Sequence, residues 1–124
     1  MGYNTRVPLT VYHYPNCSTC KKALAWLRTH AIDFEPIDIV QHPPSAAVLA
    51  RAAKLAGVPT KKLFNVAGES YRAGDYKTKL ATMTDAQAHA ALAADGKLIK
   101  RPLAIRKDTA LVGFDEAAWQ AALT

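Results

Sequence analysis

Cysteine is scarce in this chain: 124 residues contain two, Cys17 and Cys20, too few for the disulfide framework of a small secreted protein. No stretch approaches the ~18 consecutive apolar residues of a membrane span, and no long apolar run follows Arg6 near the N-terminus. Both absences point to a soluble, cytoplasmic protein with no membrane partner. There is also no long block of one charge. The formal net charge is +6, but the cations are dispersed as pairs at Lys21-Lys22, Lys61-Lys62, Lys100-Arg101 and Arg106-Lys107, without the interleaved aromatics of a nucleic-acid face. Such a balance favours anionic ligands and gives no reason to expect direct nucleic-acid binding; most of these lysines read as solvated surface. Internal repeats, low-complexity runs and interdomain linkers are missing as well, so residues 1–124 are expected to form a single domain, long enough to bury a core without disulfide staples.

What the chain does have is a concentrated segment, Tyr12-His13-Tyr14-Pro15-Asn16-Cys17-Ser18-Thr19-Cys20-Lys21-Lys22. An apolar run from about Val7 to Tyr12 reads as a strand that stops at Pro15, and a helix follows over roughly Thr19 to His30. The free N–H groups of that helix would point back at the Cys17 sulfur, and Lys21 and Lys22 would add positive charge in the first turn. Both effects favour thiolate over thiol and make Cys17 the candidate nucleophile. Cys20, close to one helical turn further on, is the candidate resolving thiol that closes a disulfide after Cys17 has formed an adduct. Two alternatives remain. The pair could be small buried hydrophobes, although Asn, Ser, Thr and Lys neighbours do not compose a core. It could also bind zinc with His13 as a third ligand, although a structural site needs four.

Beyond the first helix, Asp33 to Val40 alternates polar and apolar residues as a half-buried strand does. The opening is therefore β-α-β, with parallel strands and the cysteines at the carboxyl end of the first, where open α/β sheets place ligands. Ser45 caps a helix over Ala46 to Ala56 that ends at Gly57. From Thr60 to Ala94 the pattern is of short helices, the last opened by a capping box at Thr84-Asp85-Ala86-Gln87; the helical insertion occupies about residues 45–97. Leu103 to Arg106 and Ala110 to Gly113 form a hairpin around Lys107-Asp108-Thr109, and Asp115 caps a final helix. Asn65 to Tyr76 has loop composition, with Tyr71 and Arg72 as candidate substrate contacts. Trp26 and Trp119 read as core.

Tyr12-His13 before Pro15, the Cys17 to Lys21 segment, Pro43-Pro44-Ser45, Leu98-Ile99-Lys100-Arg101-Pro102 and Val112-Gly113-Phe114 together resemble the ArsC/Spx family, in order and over nearly the whole chain. The resemblance implies an α/β, thioredoxin-like fold with a mixed central sheet, built as β-α-β, a helical insertion, and β-β-α. It implies that the first cysteine attacks the substrate and that Arg101 binds an oxyanion. It also suggests that His13 and Lys21 line the anion pocket, and that Leu98 to Pro102 forms the opposite wall around a cis proline. Arsenate reductases of this type hold the oxyanion with three arginines. Asn65, expected to face the substrate, and Gly113 stand at two of those places. Charge-assisted hydrogen bonds worth ~1.5–3 kcal/mol each are thereby lost, and efficient arsenate reduction is not expected. With its CxxC, the chain is closer to the Spx, MgsR and YffB-type relatives.

The function expected from these readings is a thiol-dependent reductase with no tightly bound cofactor and no metal. In it, Cys17 attacks an oxidised, anionic or disulfide substrate, Cys20 resolves the adduct, and Arg101 with Lys21 holds an anionic group. Glutathione is the expected co-substrate, or a glutaredoxin- or thioredoxin-type protein the reductant. The alternative is an Spx-like redox-sensing regulator that binds RNA polymerase.

Overall fold

The computed structural model describes residues 7–124. Four strands, β1 (Leu9–His13), β2 (Phe34–Asp38), β3 (Leu103–Arg106) and β4 (Thr109–Val112), form one sheet in the order β2-β1-β3-β4. β1 runs parallel to β2 and antiparallel to β3, and β3 is antiparallel to β4, so the sheet is mixed. Helix α1 (Ser18–Thr29) makes the crossover between β1 and β2. Between β2 and β3 lie α2 (Ala46–Ala56), a 3-10 turn (Thr60–Leu63), α3 (Glu69–Ala73), α4 (Tyr76–Lys79), α5 (Asp85–Ala94) and a second 3-10 turn (Gly96–Leu98). Helix α6 (Glu116–Leu123) follows β4.

Strand alternation divides the core between the two faces of the sheet. Leu9, Val11 and Ala104 point to one side and pack with Ala23, Leu24, Trp26 and Leu27 of α1 and Trp119 of α6. Leu103 and Ala110 point to the other and pack with Leu49, Ala52 and Ala53 of α2, Leu92 of α5, and Phe64, Leu98 and Ile99. Trp26 and Trp119 are thus core residues, meeting edge to face with ring centroids 6.1 Å apart. The apolar spacing of α1, Cys20, Ala23, Leu24 and Leu27, is the 3-4-7 pattern of a helix laid against a sheet.

Local chemistry sets the element ends. Ser45 Oγ accepts from the Val48 N–H at 3.2 Å, and Gly57 closes α2 in the left-handed region at φ 69°, so the bounds read from the sequence hold. At α5 the capping box forms in both directions, with Thr84 Oγ1 accepting from Gln87 N at 3.1 Å and Gln87 Oε1 accepting from Thr84 N at 2.9 Å. β1 begins at Leu9 rather than Val7, because Pro8 has no N–H to donate and Leu9 makes the ladder's first bond, to Asp33 O at 3.1 Å. β2 stops at Asp38 rather than Val40, because the Asp38 carboxylate captures the N–H groups of Val40 and Gln41. The hairpin turn is Lys107-Asp108, and Thr109 already pairs with Arg106. β4 ends at Val112 because Gly113 turns away at φ 75°.

Asn65 to Tyr76 is not a plain loop. It carries α3 and the start of α4, held by Tyr71, whose ring lies 6.3 Å from those of both Phe64 and Tyr76. Gly96 permits a close approach at the entry to β3: a Cβ there would stand 1.9 Å from the Ile39 carbonyl oxygen.

Candidate active site at the head of helix α1

Cys17 is the N-cap of α1, in extended conformation, and its Sγ accepts a hydrogen bond from the Cys20 N–H at 3.4 Å. The junction is held from both sides, with the Cys17 N–H donating to Tyr14 O at 2.9 Å and the Cys17 carbonyl accepting from Lys21 N at 3.1 Å. Cys20 lies one turn on, only 1% exposed, and its Sγ accepts from the Tyr14 N–H at 3.5 Å. Both cysteines are free thiols, Cys17 half-buried and Cys20 buried.

The two sulfurs experience opposite fields. Burial pushes the Cys17 thiol up, but the Cys20 N–H, the Cys20 thiol, the Arg101 guanidinium and the Thr19 N–H together outweigh it, and the net shift is downward. Cys20 is pushed up to about 12, first by burial and then by the Cys17 sulfur, with the Tyr14 N–H and Arg101 opposing. The pair therefore divides its labour: an accessible sulfur biased to thiolate above a buried one that keeps its proton.

Arg101 arrives from the entry to β3, the strand next to β1. The antiparallel register pairs Tyr12 with Leu103, which sets the residues before β3 beside those after β1. The guanidinium sits 5.0 Å from the centroid of the Tyr14 ring and donates to the Lys97 carbonyl at 3.0 Å, so its orientation is braced independently of Cys17. The Arg101–Pro102 bond is cis, as the resemblance implied.

A cleft of about 440 Å³ opens beside Cys17, lined by Cys17, Thr19, Asn65, Lys100, Arg101, Val112, Gly113, Phe114 and Asp115. Among the residues singled out from the sequence, Cys17, Asn65 and Arg101 come together there. Cys20 lies beneath them. His13, Lys21 and Pro102 are not in the lining: His13 is tied into the β1 to β2 connection, its carbonyl accepting from Ile39 N at 2.9 Å, Lys21 is exposed on α1, and Pro102 is buried. Tyr71 and Arg72 are elsewhere too, Tyr71 in its aromatic cluster and Arg72 bonded to the Ala67 carbonyl at 2.8 Å. Larger hollows, including one of about 550 Å³ among the short helices, contain neither sulfur. Among the described residues no three His, Cys, Asp or Glu side chains converge as metal ligands, so the zinc alternative lacks its third ligand. Nor is any helix among them long and apolar enough to cross a membrane.

Tyr14 was given no role, and those of Lys100 and Trp119 were read too narrowly. Tyr14 joins both cysteines to Arg101, through its carbonyl to Cys17, its N–H to Cys20 and its ring to Arg101. Lys100, within the wall that the resemblance implied but read by its pairing with Arg101 as surface charge, lies in the cleft lining. Trp119, read as core alone, also braces the cleft wall, donating from Nε1 to the Gly113 carbonyl at 3.0 Å.

A match to the ArsC family spans residues 12–122. The chain belongs to the ArsC family. It is 42% identical over 108 residues to the uncharacterized protein YusI of Bacillus subtilis, covering 87% of this chain and 92% of that one. Among solved structures it is similar to an ArsC family related protein of Bacteroides fragilis, at 38% identity and a TM-score of 0.89, with 93% of this chain and 97% of that one covered. A structure described as a possible arsenate reductase from Streptococcus mutans is 39% identical, with a TM-score of 0.86 and coverage of 94% and 98%. Other relatives include the regulators Spx and MgsR and a YffB protein. The α/β fold with its four-stranded mixed sheet is the thioredoxin-like fold of this ArsC family.

Proposed function

We propose that this ArsC-family protein is a thiol-dependent reductase working in the reducing cytoplasm, with Cys17 as nucleophile, Cys20 as resolving thiol and Arg101 as the anion-binding group. The observation that carries the reading is the asymmetry of the pair: one half-exposed sulfur held below the ordinary thiol range, and one buried sulfur held above it. The Cys17 thiolate attacks one sulfur of a disulfide substrate, forming a mixed disulfide and expelling the other half as a thiolate. That step removes the negative charge facing Cys20, one of the forces holding its proton. Cys20 then loses its proton, attacks the Cys17 sulfur and releases the second half as a thiol, leaving a Cys17–Cys20 disulfide. Two equivalents of glutathione thiol, or one dithiol protein of the glutaredoxin or thioredoxin type, return it to the reduced state. Arsenate suits the cleft less well, because Asn65 and Gly113 bring no charge to it.

The polymerase-binding alternative draws its support from the likeness to Spx and MgsR, at 24% and 22% identity. One experiment addresses the reductase directly: the pH dependence of Cys17 alkylation in the wild type and in Cys20→Ser, with glutathione disulfide offered in parallel. A titration midpoint below the free-thiol value of ~8.5, and a glutathione adduct that accumulates only when Cys20 is replaced, support it. A Cys17 of ordinary reactivity, together with polymerase retained by one redox form alone in a pull-down, would move the protein to the regulators.

A further inference from the structure

Gly113 and Lys100 share one piece of space at the lip of the cleft. A Cβ on Gly113 would lie 2.9 Å from Lys100 Cε and 3.9 Å from its Nζ, so the lysine chain runs across the bare glycine. Gly113 is held there on both sides, its N–H donating to Pro102 O at 2.8 Å and its carbonyl accepting from Trp119. The base of the lysine is equally fixed, through Lys100 N to Leu63 O at 2.7 Å. A cation is thus delivered to the wall of the Cys17 cleft from a rigid backbone, over a residue whose lack of a side chain makes room for it.

The charges facing the cleft are those of Lys100, Arg101 and Asp115. They are not equally free to meet a ligand. Arg101 is committed to Tyr14 and the Lys97 carbonyl and favours the Cys17 thiolate, and Asp115 caps α6 by accepting from Ala117 N at 3.1 Å. Lys100 is not among the groups acting on the Cys17 sulfur, and it lines the same cleft where it crosses Gly113. From this we propose that Lys100 is a specificity-determining residue: it holds a carboxylate of the disulfide substrate while the substrate's sulfur meets Cys17, selecting acidic disulfides of the glutathione kind over neutral and cationic ones. A compact ammonium on a flexible stem suits a single carboxylate at variable distance from the reacting sulfur better than a planar fork does.

The assignment rests on Cys17 being the nucleophile, and the test separates the two. Reduced full-length protein carrying Cys20→Ser, so that the Cys17 adduct accumulates, is mixed with glutathione disulfide (acidic), 2-hydroxyethyl disulfide (neutral) or cystamine (cationic), and adduct formation is timed by intact mass with Lys100 as in the wild type or replaced in K100Q and K100E. With Lys100 in place the rates fall in the order acidic, neutral, cationic, and 0.5 M salt compresses the spread. In K100Q the acidic-to-neutral ratio drops about fivefold, the effect of one largely exposed ion pair, and in K100E the order of acidic and cationic disulfides reverses. A merely structural Lys100 would slow all three disulfides alike. Unchanged ratios in K100Q, with 2-hydroxyethyl disulfide reacting normally, overturn the role of Lys100. Absence of an adduct with every disulfide overturns the nucleophile itself.

Discussion

Raising the pH should destabilise the reduced protein through Cys20 in particular. Its thiol, 1% exposed, is held up to about 12, whereas an unfolded cysteine ionises near ~8.5. A group whose folded pKa is raised contributes stability that is fully present below the unfolded value and is lost as pH climbs toward the folded one. Between pH 8.5 and 10 the unfolded chain releases the Cys20 proton while the folded protein keeps it. At 1.36 kcal/mol per pH unit once the unfolded thiol is ionised, the loss is about 1.5 kcal/mol. Cys17 has the opposite sign: its lowered pKa contributes stability above the unfolded value, lost as pH falls through its folded one, so it adds little slope in this alkaline window. Tyr12, whose pKa burial also raises, begins to contribute only near the upper end. Urea unfolding of wild type and Cys20→Ala at both pH values, under a phosphine reductant, measures the effect, since the cavity left by the sulfur and the titrations of groups other than Cys17, which already adds little slope in this window, cancel in the double difference. The wild type should lose about 1.5 kcal/mol more than the variant. Parallel losses, within about 0.3 kcal/mol, would refute the account of a buried, proton-retaining Cys20.

Arg101→Gln removes a cation that favours the Cys17 thiolate, so the midpoint of the alkylation profile should move up and the rate at neutral pH should fall; an unmoved midpoint would detach Arg101 from the sulfur. Trp119→Phe leaves the Gly113 carbonyl without its donor and should cost about 1–3 kcal/mol in urea unfolding, whereas a cost under about 0.5 kcal/mol would mean that the bond contributes nothing. In Gly96→Ala the new methyl meets the Ile39 backbone, which cannot swing aside as a side chain would; a loss of about 1–3 kcal/mol is expected, and an unchanged melting temperature would show that this approach is loose.

Much of the site was readable because its first links are short in sequence. The Cys17 cap and its bond from the Cys20 N–H span three residues, and that bond depends only on a helix starting where the strand stops. The same locality made the bounds of α2 and the capping box of α5 legible, since side chains at Ser45 and Thr84 meet N–H groups three positions away. Tyr14 was overlooked because two of its three contributions are made by backbone atoms, which carry no residue signature. Lys100 fell within the Leu98 to Pro102 wall that the resemblance implied but was given no role of its own, because a basic pair looks the same whether it faces water or a cleft. Lys21, assigned to the pocket by the resemblance and by its charge in the first turn of α1, is exposed and lies outside the cleft lining.

The sequence by itself determined the α/β order of elements, the polarity of the cysteine helix and which sulfur faces its N-terminus. All three follow from hydrophobic period, a proline and capping chemistry acting over a few residues. Only the tertiary structure decided that Cys20 is buried, that Arg101 stands over Tyr14 beside Cys17, and that Lys100 crosses Gly113 into the cleft. Arg101 meets Tyr14 and Cys17 across more than eighty residues and Lys100 meets Gly113 from the far end of the β3–β4 hairpin, and the geometry is set by the antiparallel pairing of β1 with β3 and the path of β4 into Gly113. Through-space fields and steric room at such separations arise only when the sheet has closed, because no local preference encodes which residue will stand opposite which.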